Sequence, residues 1–266
     1  MILEVLISCM HQKDLAIIEK SRIITDVLMI NQTEFNKQEV FHYDSRKVRI
    51  YHTTQRGLSK SRNMALEQAI GDICLLCDDD EILSDIYSEI ICRAFDQLPQ
   101  ADIIAFDFKN KITRLSPTIQ RVGRLNSLKL ASYQLAFRRR RILESGVRFD
   151  PLMGAGTGNG AGEENKFLLD CLRKGLHIYY VPETIGVVCH GPSTWFFGYD
   201  QAFFFQRGSS TRYMLGLVPA VVYGIYYLWA KRSLYCHTIS TPKAAAALFC
   251  GIRENNIQKM ASGGQS

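Results

Sequence analysis

The sequence predicts an α/β fold, a mostly parallel sheet flanked by helices, followed by a C-terminal hydrophobic helical segment. Three observations carry that expectation. Apolar runs at residues 3–8, 26–30 and 73–77 are continuous rather than alternating, as in strands covered on both faces. Helix-like stretches lie between them, giving the strand–helix–strand order of an open α/β sheet, in which ligands sit beyond the carboxyl ends of the strands. Residues 213–230 hold no charged side chain and are flanked by Arg212, Lys231 and Arg232.

Composition sets the outer bounds. With 266 residues, 47% hydrophobic and 22% charged, the chain can bury one large α/β domain, alone or with an appendage, and is not disordered throughout. The net charge of +6 permits attraction to phosphates or an anionic membrane, but no nucleic-acid partner is expected. The eight cysteines are scattered, mostly inside apolar runs, and Met1 leads straight into the first predicted strand without a secretory leader. A reducing cytoplasmic setting is expected. Cys74 and Cys77 have redox-pair spacing, but they lie in a predicted strand, where positions three apart face opposite ways. They read as buried structural thiols.

The elements follow in order. Residues 14–21 form an amphipathic helix with Leu15 and Ile18 on one side, and residues 48–51 a weaker strand. A helix over 59–70 begins at Ser59 as its cap and ends at Gly71 in a C′ role. After the strand at 73–77, residues 102–108 alternate as a strand, 113–127 are polar, and a strand at 135–137 runs into Arg138, Arg139, Arg140 and Arg141. A glycine-rich loop at 154–162 opens a helix over 163–174, closed by Gly175, with Phe167, Leu168, Cys171 and Leu172 on its buried face. Short strands at 178–181 and 185–188 lead to His190. Residues 1–192 read as a catalytic domain and 193–266 as a C-terminal helical, membrane-associating region.

Consecutive carboxylates at Asp78, Asp79, Asp80 and Glu81 stand where an apolar strand stops. Burying like charges together is unfavourable without a cation, because each raises its neighbours' pKa. Mg²⁺ or Mn²⁺ relieves that repulsion and takes hard oxygen ligands. A solvated acidic turn before a helix reads equally well from these residues alone.

Motif order goes further. Residues 57–66 (GLSKSRNMAL), then 69–72 (AIGD), then an apolar strand into Asp78, Asp79 and Asp80 resemble family 2 glycosyltransferases of the GT-A fold. In that family an Ala-Arg-Asn helix precedes a strand ending in an Asp-x-Asp motif. Downstream, Phe137 and Arg138, then Phe149, Asp150 and Pro151, then the segment from Gly162 through Glu163, Glu164 and Asn165 to Phe167 are similar to further family segments. The resemblance covers roughly residues 3–190.

The resemblance implies a GT-A nucleotide-diphospho-sugar transferase fold and inverting, metal-dependent transfer of a hexosyl or N-acetylhexosaminyl group. The donor is a nucleotide sugar, UDP-sugar foremost, and the acceptor a glycan or lipid-linked hydroxyl in cell-surface polysaccharide synthesis. It implies that Asp78 and Asp80 are the Asp-x-Asp pair with Asp79 between them, one on the ribose or diphosphate and the other on Mn²⁺ or Mg²⁺. Donor contacts are expected from Ser8, Met10, Asn31, Arg56, Ser59, Arg62, Asp78 and Asp79, and metal ligation from Asp80, Asp78 and His190. Glu164, with Glu163 beside it, aligns with the general base. The chain departs from the family at Asn31 and Gln32, expected in a turn where many members carry an aspartate pair, and at Glu163–Glu164 in place of Glu–Asp. Two other functions stand beside this one: a non-catalytic membrane-associated scaffold of a glycan-assembly complex, and a sugar nucleotidyltransferase. The second calls for a glycine-rich phosphate loop after the first strand, where residues 8–11 (SCMH) offer none.

The glycine loop formally matches G-x-G-x-x-A but follows an Asp-Pro turn in mid-chain, so it reads as a lid over the acceptor. In the C-terminal region, 213–230 is marginal for spanning a bilayer and is interrupted by Gly216, Pro219 and Gly224. Tyr226, Tyr227 and Trp229 beside Lys231 and Arg232 suit a helix at a membrane interface. Peripheral attachment at the inner face of the cell membrane is expected, with packing against protein as the alternative.

Overall fold

The structure is a computed structural model that describes residues 1–43, 45–111, 113–154, 157, 159, 162–189, 198–257 and 260. The chain divides into two compact units, residues 1–149 with 164–191, and residues 150–163 with 192–266.

The first unit is built on one ten-stranded sheet. Its strands are β1 (Leu3–Met10), β2 (Asp26–Gln32), β3 (Lys37–Tyr43), β4 (Arg46–Thr53), β5 (Ile73–Cys77), β6 (Glu81–Leu83), β7 (Ile103–Phe108), β8 (Gln120–Arg121), β9 (Leu135–Arg138) and β10 (Ile178–Val188). Their order is β3-β4-β2-β1-β5-β9-β7-β10-β6, with β8 on β10. The block β4-β2-β1-β5 is parallel, as the continuous apolar runs predict. The rest corrects that expectation, because β3, β6, β8 and β9 all pair antiparallel. The sheet is mixed.

Helices cover both faces. Ile17 and Ile18 of α1 (Ala16–Lys20) and Tyr87, Ile90, Ile91 and Phe95 of α3 (Tyr87–Gln97) pack on one side. Ala65 and Leu66 of α2 (Leu58–Gln68), Ile142 of α5 (Arg139–Ser145) and Phe167, Leu168 and Cys171 of α6 (Glu163–Arg173) pack on the other. A short helix, α4 (Arg124–Ser127), and a 3-10 turn at Ser132–Gln134 precede β9. Cys74 and Cys77 fall in opposite core layers, and burial raises both thiols.

Several local expectations change. Asn31 and Gln32 are buried strand residues, not a turn, because β2 continues in register with β4 through Asn31–His52 and Gln32–Thr53. Gly57, not Ser59, is the N-cap of α2; it has φ 116° and its amide donates to Gln32 Oε1 at 2.8 Å. The C-cap of α2 is Ala69. Gly71 serves close approach, since a Cβ there would lie 2.7 Å from Glu4 Cβ. Residues 178–188 form one strand with register shifts at Thr184 and Gly186 rather than two strands.

In the second unit, residues 213–230 are not one helix. The chain breaks at Gly216, with φ 85°, between α7 (Gln201–Leu215) and α8 (Leu217–Ala230). After α9 (Arg232–Tyr235) comes α10 (Thr241–Glu254), with Pro242 in its first turn. These helices enclose a core of Phe204, Tyr227, Leu228, Tyr235, Leu248 and Ile252. Among the described residues no helix is long and apolar enough to cross a membrane.

Candidate functional site

Strand register sets the site. Ile7 pairs with Cys77, Ser8 with Ile30, and Ile30 with Tyr51, so β5, β1, β2 and β4 end in one row. The loops leaving that row carry most of the predicted site residues.

At its centre Arg62, on α2, is buried at 2% exposure. Its Nη2 donates to Asp78 Oδ1 at 3.0 Å and Oδ2 at 3.2 Å, and to Ser132 Oγ at 2.8 Å. The guanidinium lies over the Phe149 ring, 5.6 Å from its centroid, and Phe149 stacks on Phe167 at 4.2 Å. The next residue, Asn63, clasps the Phe149 backbone in both directions, donating to its carbonyl and accepting from its amide at 2.8 Å each. A buried guanidinium is tolerated only when paired and hydrogen-bonded, and these contacts supply that.

The acidic run grades from solvent to core. Asp79 is exposed, Asp78 and Asp80 are half-buried, and Glu81 is buried at the start of β6. Among the described residues neither Glu81 oxygen meets a donor in ordinary hydrogen-bond geometry. Burial, then the charge of Asp78, holds this carboxyl well above the usual carboxylate range.

β9 brings in an element the sequence reading did not place at the site. It pairs antiparallel to β5, Leu75 with Ala136 and Ile73 with Arg138. Arg138 is therefore at the far end of β5 from Asp78, where it donates to the Ala101 and Phe95 carbonyls. The turn before β9 arrives beside Asp78 instead. It carries Ser132 and Tyr133, and Tyr133 packs edge-on against Phe108 at 5.0 Å. Burial pushes the Tyr133 hydroxyl up to about 12, helped by the charges of Glu81, Asp80, Glu164 and Asp107. Asp80 and Glu164 thus act on one phenol although 84 positions separate them in sequence. Beside Glu164, Asn165 Nδ2 donates to the Ser127 and Leu130 carbonyls at 3.3 and 3.2 Å, tying the first turn of α6 to the segment before Ser132. Ser132 and Tyr133 have no local motif that marks them; only the antiparallel return of β9 does.

The two glutamates differ. Glu164 is half-exposed, while Glu163 is buried at 6% and accepts from the Gly162 amide at 3.2 Å.

Other predicted donor residues lie along the same row of strand ends. Ser8 Oγ accepts from Ser61 Oγ at 2.9 Å, Ser59 is buried in the first turn of α2, and Met10 is exposed. Asn31 turns inward: its Nδ2 donates to the Gln12 carbonyl at 2.7 Å and its Oδ1 accepts from the Gln12 amide at 3.1 Å. It closes the turn after β1. Arg56 donates to the Thr33 carbonyl at 2.8 Å and pairs with Glu34 at 2.6 Å, bracing the chain after β2. His190 lies outside the described residues.

The donor set fits a divalent ion. Asp78 and Asp80 place two carboxylates just beyond β5, in a region where burial first, and neighbouring acidic groups second, raise the Cys77 thiol and the Tyr133 hydroxyl. Among the described residues no three His, Cys, Asp or Glu side chains form a ready-made cluster. Mg²⁺ and Mn²⁺ in general need only one or two protein carboxylates when a substrate diphosphate and waters complete the shell.

Known proteins extend this picture. The model of glycosyl transferase family 2 matches residues 33–151, which include α2, the acidic run and β9. No curated protein matches the sequence closely enough to count as a relative. Among solved structures, S. aureus TarS 1-349 is 14% identical with a TM-score of 0.56, covering 79% of this chain and 64% of that one. The same TarS segment in complex with UDP-GlcNAc is 13% identical with a TM-score of 0.60, covering 90% and 74%. The mannosyltransferase PcManGT from Pyrobaculum calidifontis, in complex with GDP-Man and Mn²⁺, is 14% identical with a TM-score of 0.54, covering 98% and 79%. At such identities the likeness is one of fold. The chain thus has a GT-A fold, and its segment 33–151 matches the model of glycosyl transferase family 2.

Proposed function

We propose that this protein is an inverting glycosyltransferase that moves one sugar from a nucleoside diphosphate donor, a UDP-sugar, to a hydroxyl of a glycan or lipid-linked acceptor in cell-surface polysaccharide synthesis. The observation that carries it is the Arg62–Asp78–Ser132 cluster at the end of β5, next to the acidic residues Asp79 and Asp80. The family 2 match over residues 33–151, which takes in Arg62, Asp78, Asp80 and Ser132, supports transferase chemistry, and the similar structures solved with UDP-GlcNAc and GDP-Man support a nucleotide-sugar donor.

The residues divide the work. Asp78, oriented and charge-balanced by Arg62, contacts the donor ribose or diphosphate. Asp80 and Asp78, with His190 in the expected ligand set, would hold Mn²⁺ or Mg²⁺. When bound, that ion supplies positive charge that stabilises the departing diphosphate. Glu164 takes the proton of the acceptor hydroxyl as its oxygen attacks the anomeric carbon. The bond from that carbon to the diphosphate oxygen breaks on the opposite side, and the nucleoside diphosphate leaves with the bonding electrons. Glu164 fits this role better than Glu163, because a base needs access to the acceptor and Glu163 is buried against its own loop. Asn31, engaged with Gln12, supports donor binding by shaping the turn after β1.

Calorimetric titration with UDP, GDP and their sugars, each with Mn²⁺, Mg²⁺ or chelator, tests this reading. UDP-sugar binding that needs a divalent ion is the expected result. Absence of nucleotide binding under every metal condition overturns it in favour of a non-catalytic scaffold.

A further inference from the structure

We propose that the C-terminal unit docks flat on an anionic lipid bilayer through the exposed face of α8. One face of this 14-residue helix is spent inside its own unit. Ala220, Gly224, Tyr227 and Leu228 are buried, and Gly224 sits so tightly that a Cβ would lie 2.7 Å from Leu248 Cδ2. The opposite face carries Val218, Val222, Ile225 and Trp229, all exposed, Val218 at 72% and Trp229 at 79%. Their spacing of four, three and four places them on one stripe, and Tyr226, four residues after Val222, extends it. So much contiguous apolar surface on a helix needs a partner.

Charge identifies the partner. Residues 201–253 contain six Lys and Arg and no Asp or Glu. The whole chain's net charge is +6, so all the remaining residues together are neutral. Lys231 and Arg232 follow directly on Trp229 and Ala230, the arrangement of an interfacial helix whose apolar stripe enters the acyl boundary while cations meet lipid phosphates. Length excludes a span: α8 is about 21 Å long at 1.5 Å per residue, against a hydrocarbon layer of about 30 Å. A second copy on the same face would bring two such basic segments together without an acidic group between them, which disfavours self-association. The surface uses residues of the C-terminal unit alone, so its failure and that of the donor chemistry are separable.

Co-sedimentation of the full chain with vesicles tests the proposal. The chain is expected to bind vesicles of phosphatidylglycerol mixed with phosphatidylcholine, to bind pure phosphatidylcholine weakly, and to lose affinity as salt rises. Val222→Gln with Trp229→Ser should weaken binding about tenfold or more, with circular dichroism, denaturation midpoint and UDP-sugar affinity unchanged. Lys231→Ala with Arg232→Ala should weaken binding to the anionic vesicles only. No binding of the parent chain to anionic vesicles, or binding by both variants as tight as the parent's, overturns the proposal. So does a dimer by light scattering that the first variant converts to a monomer.

Discussion

Arg62 and Asp78 form an ion pair in which one guanidinium nitrogen reaches both carboxylate oxygens, at 3.0 and 3.2 Å, from a side chain only 2% exposed. Ser132 accepts from the same nitrogen at 2.8 Å. The pair joins α2 to the end of β5, and it fixes the direction of the first aspartate in the acidic run.

Removing Asp78 therefore takes a paired carboxylate away from a buried cation. Asp78→Ala is expected to cost about 3 kcal/mol, the low end for a broken buried pair because Asp78 itself is 30% exposed. Asp79→Ala, at an exposed position, should stay within about 0.5 kcal/mol. Urea denaturation of both variants separates them, and equal midpoints would contradict a structural pair.

The adjacent glutamates should part in the opposite sense. Glu164→Gln is expected to lower kcat by about a hundredfold or more while leaving donor affinity and stability near the parent values. Glu163→Gln should retain most of kcat and instead lower the melting temperature, since its carboxylate braces Gly162. Steady-state kinetics with thermal unfolding on both variants provides the readout.

Chelation should reveal the ion. EDTA is expected to abolish transfer and weaken UDP-sugar binding, with Mn²⁺ restoring both. In Asp80→Ala the binding should be weak and insensitive to chelator. A variant that still responds to Mn²⁺ like the parent would place the ion elsewhere.

The C-terminal unit rests on a close crossing of α7 and α10. A Cβ at Gly208 would lie 2.1 Å from the Leu248 carbonyl oxygen, and one at Gly251 would lie 2.0 Å from that of Phe205. Neither backbone oxygen can turn aside as a side chain would. Gly251→Ala is expected to destabilise this unit by about 2 kcal/mol through forced separation of the helices. Calorimetric melting of the variant checks it, and an unchanged profile would show that the crossing is looser than described.

Tyr87 links α3 to the segment before β2, accepting from the amides of Ile24 and Thr25 and contacting Thr25 Oγ1 at 2.6 Å. Burial pushes its hydroxyl up to about 12 from 10.0. The unfolded phenol ionises first, so this stability is present below pH 10 and is lost as pH rises toward 12. From pH 9 to 11, Tyr87→Phe should lose about 1 kcal/mol less stability than the parent. Denaturation at the two pH values decides it.

The parallel half of the sheet was legible because apolar continuity over 3–8, 26–30 and 73–77 reports burial on both faces. β3 was not, because nearly every residue of Lys37–Tyr43 is exposed and an edge strand needs no apolar pattern. α3 carries a readable signal, with Tyr87, Ile90, Ile91, Ala94 and Phe95 at helical spacing between the acidic run and the next strand.

Linear order by itself determined the family segment, the place of Asp78, Asp79 and Asp80 at a strand end, and Arg62 on the helix before it, because strand ends, helix periods and motif order are local properties of the chain. Tertiary structure alone decided that Ser132 and Tyr133 stand at that strand end and Arg138 at the other, that Asn31 faces Gln12, and that α8 buries one face and exposes the other. Each depends on which distant segment pairs with which, and pairing partners are chosen by the packing of the whole sheet or bundle rather than by any residue's neighbours in sequence.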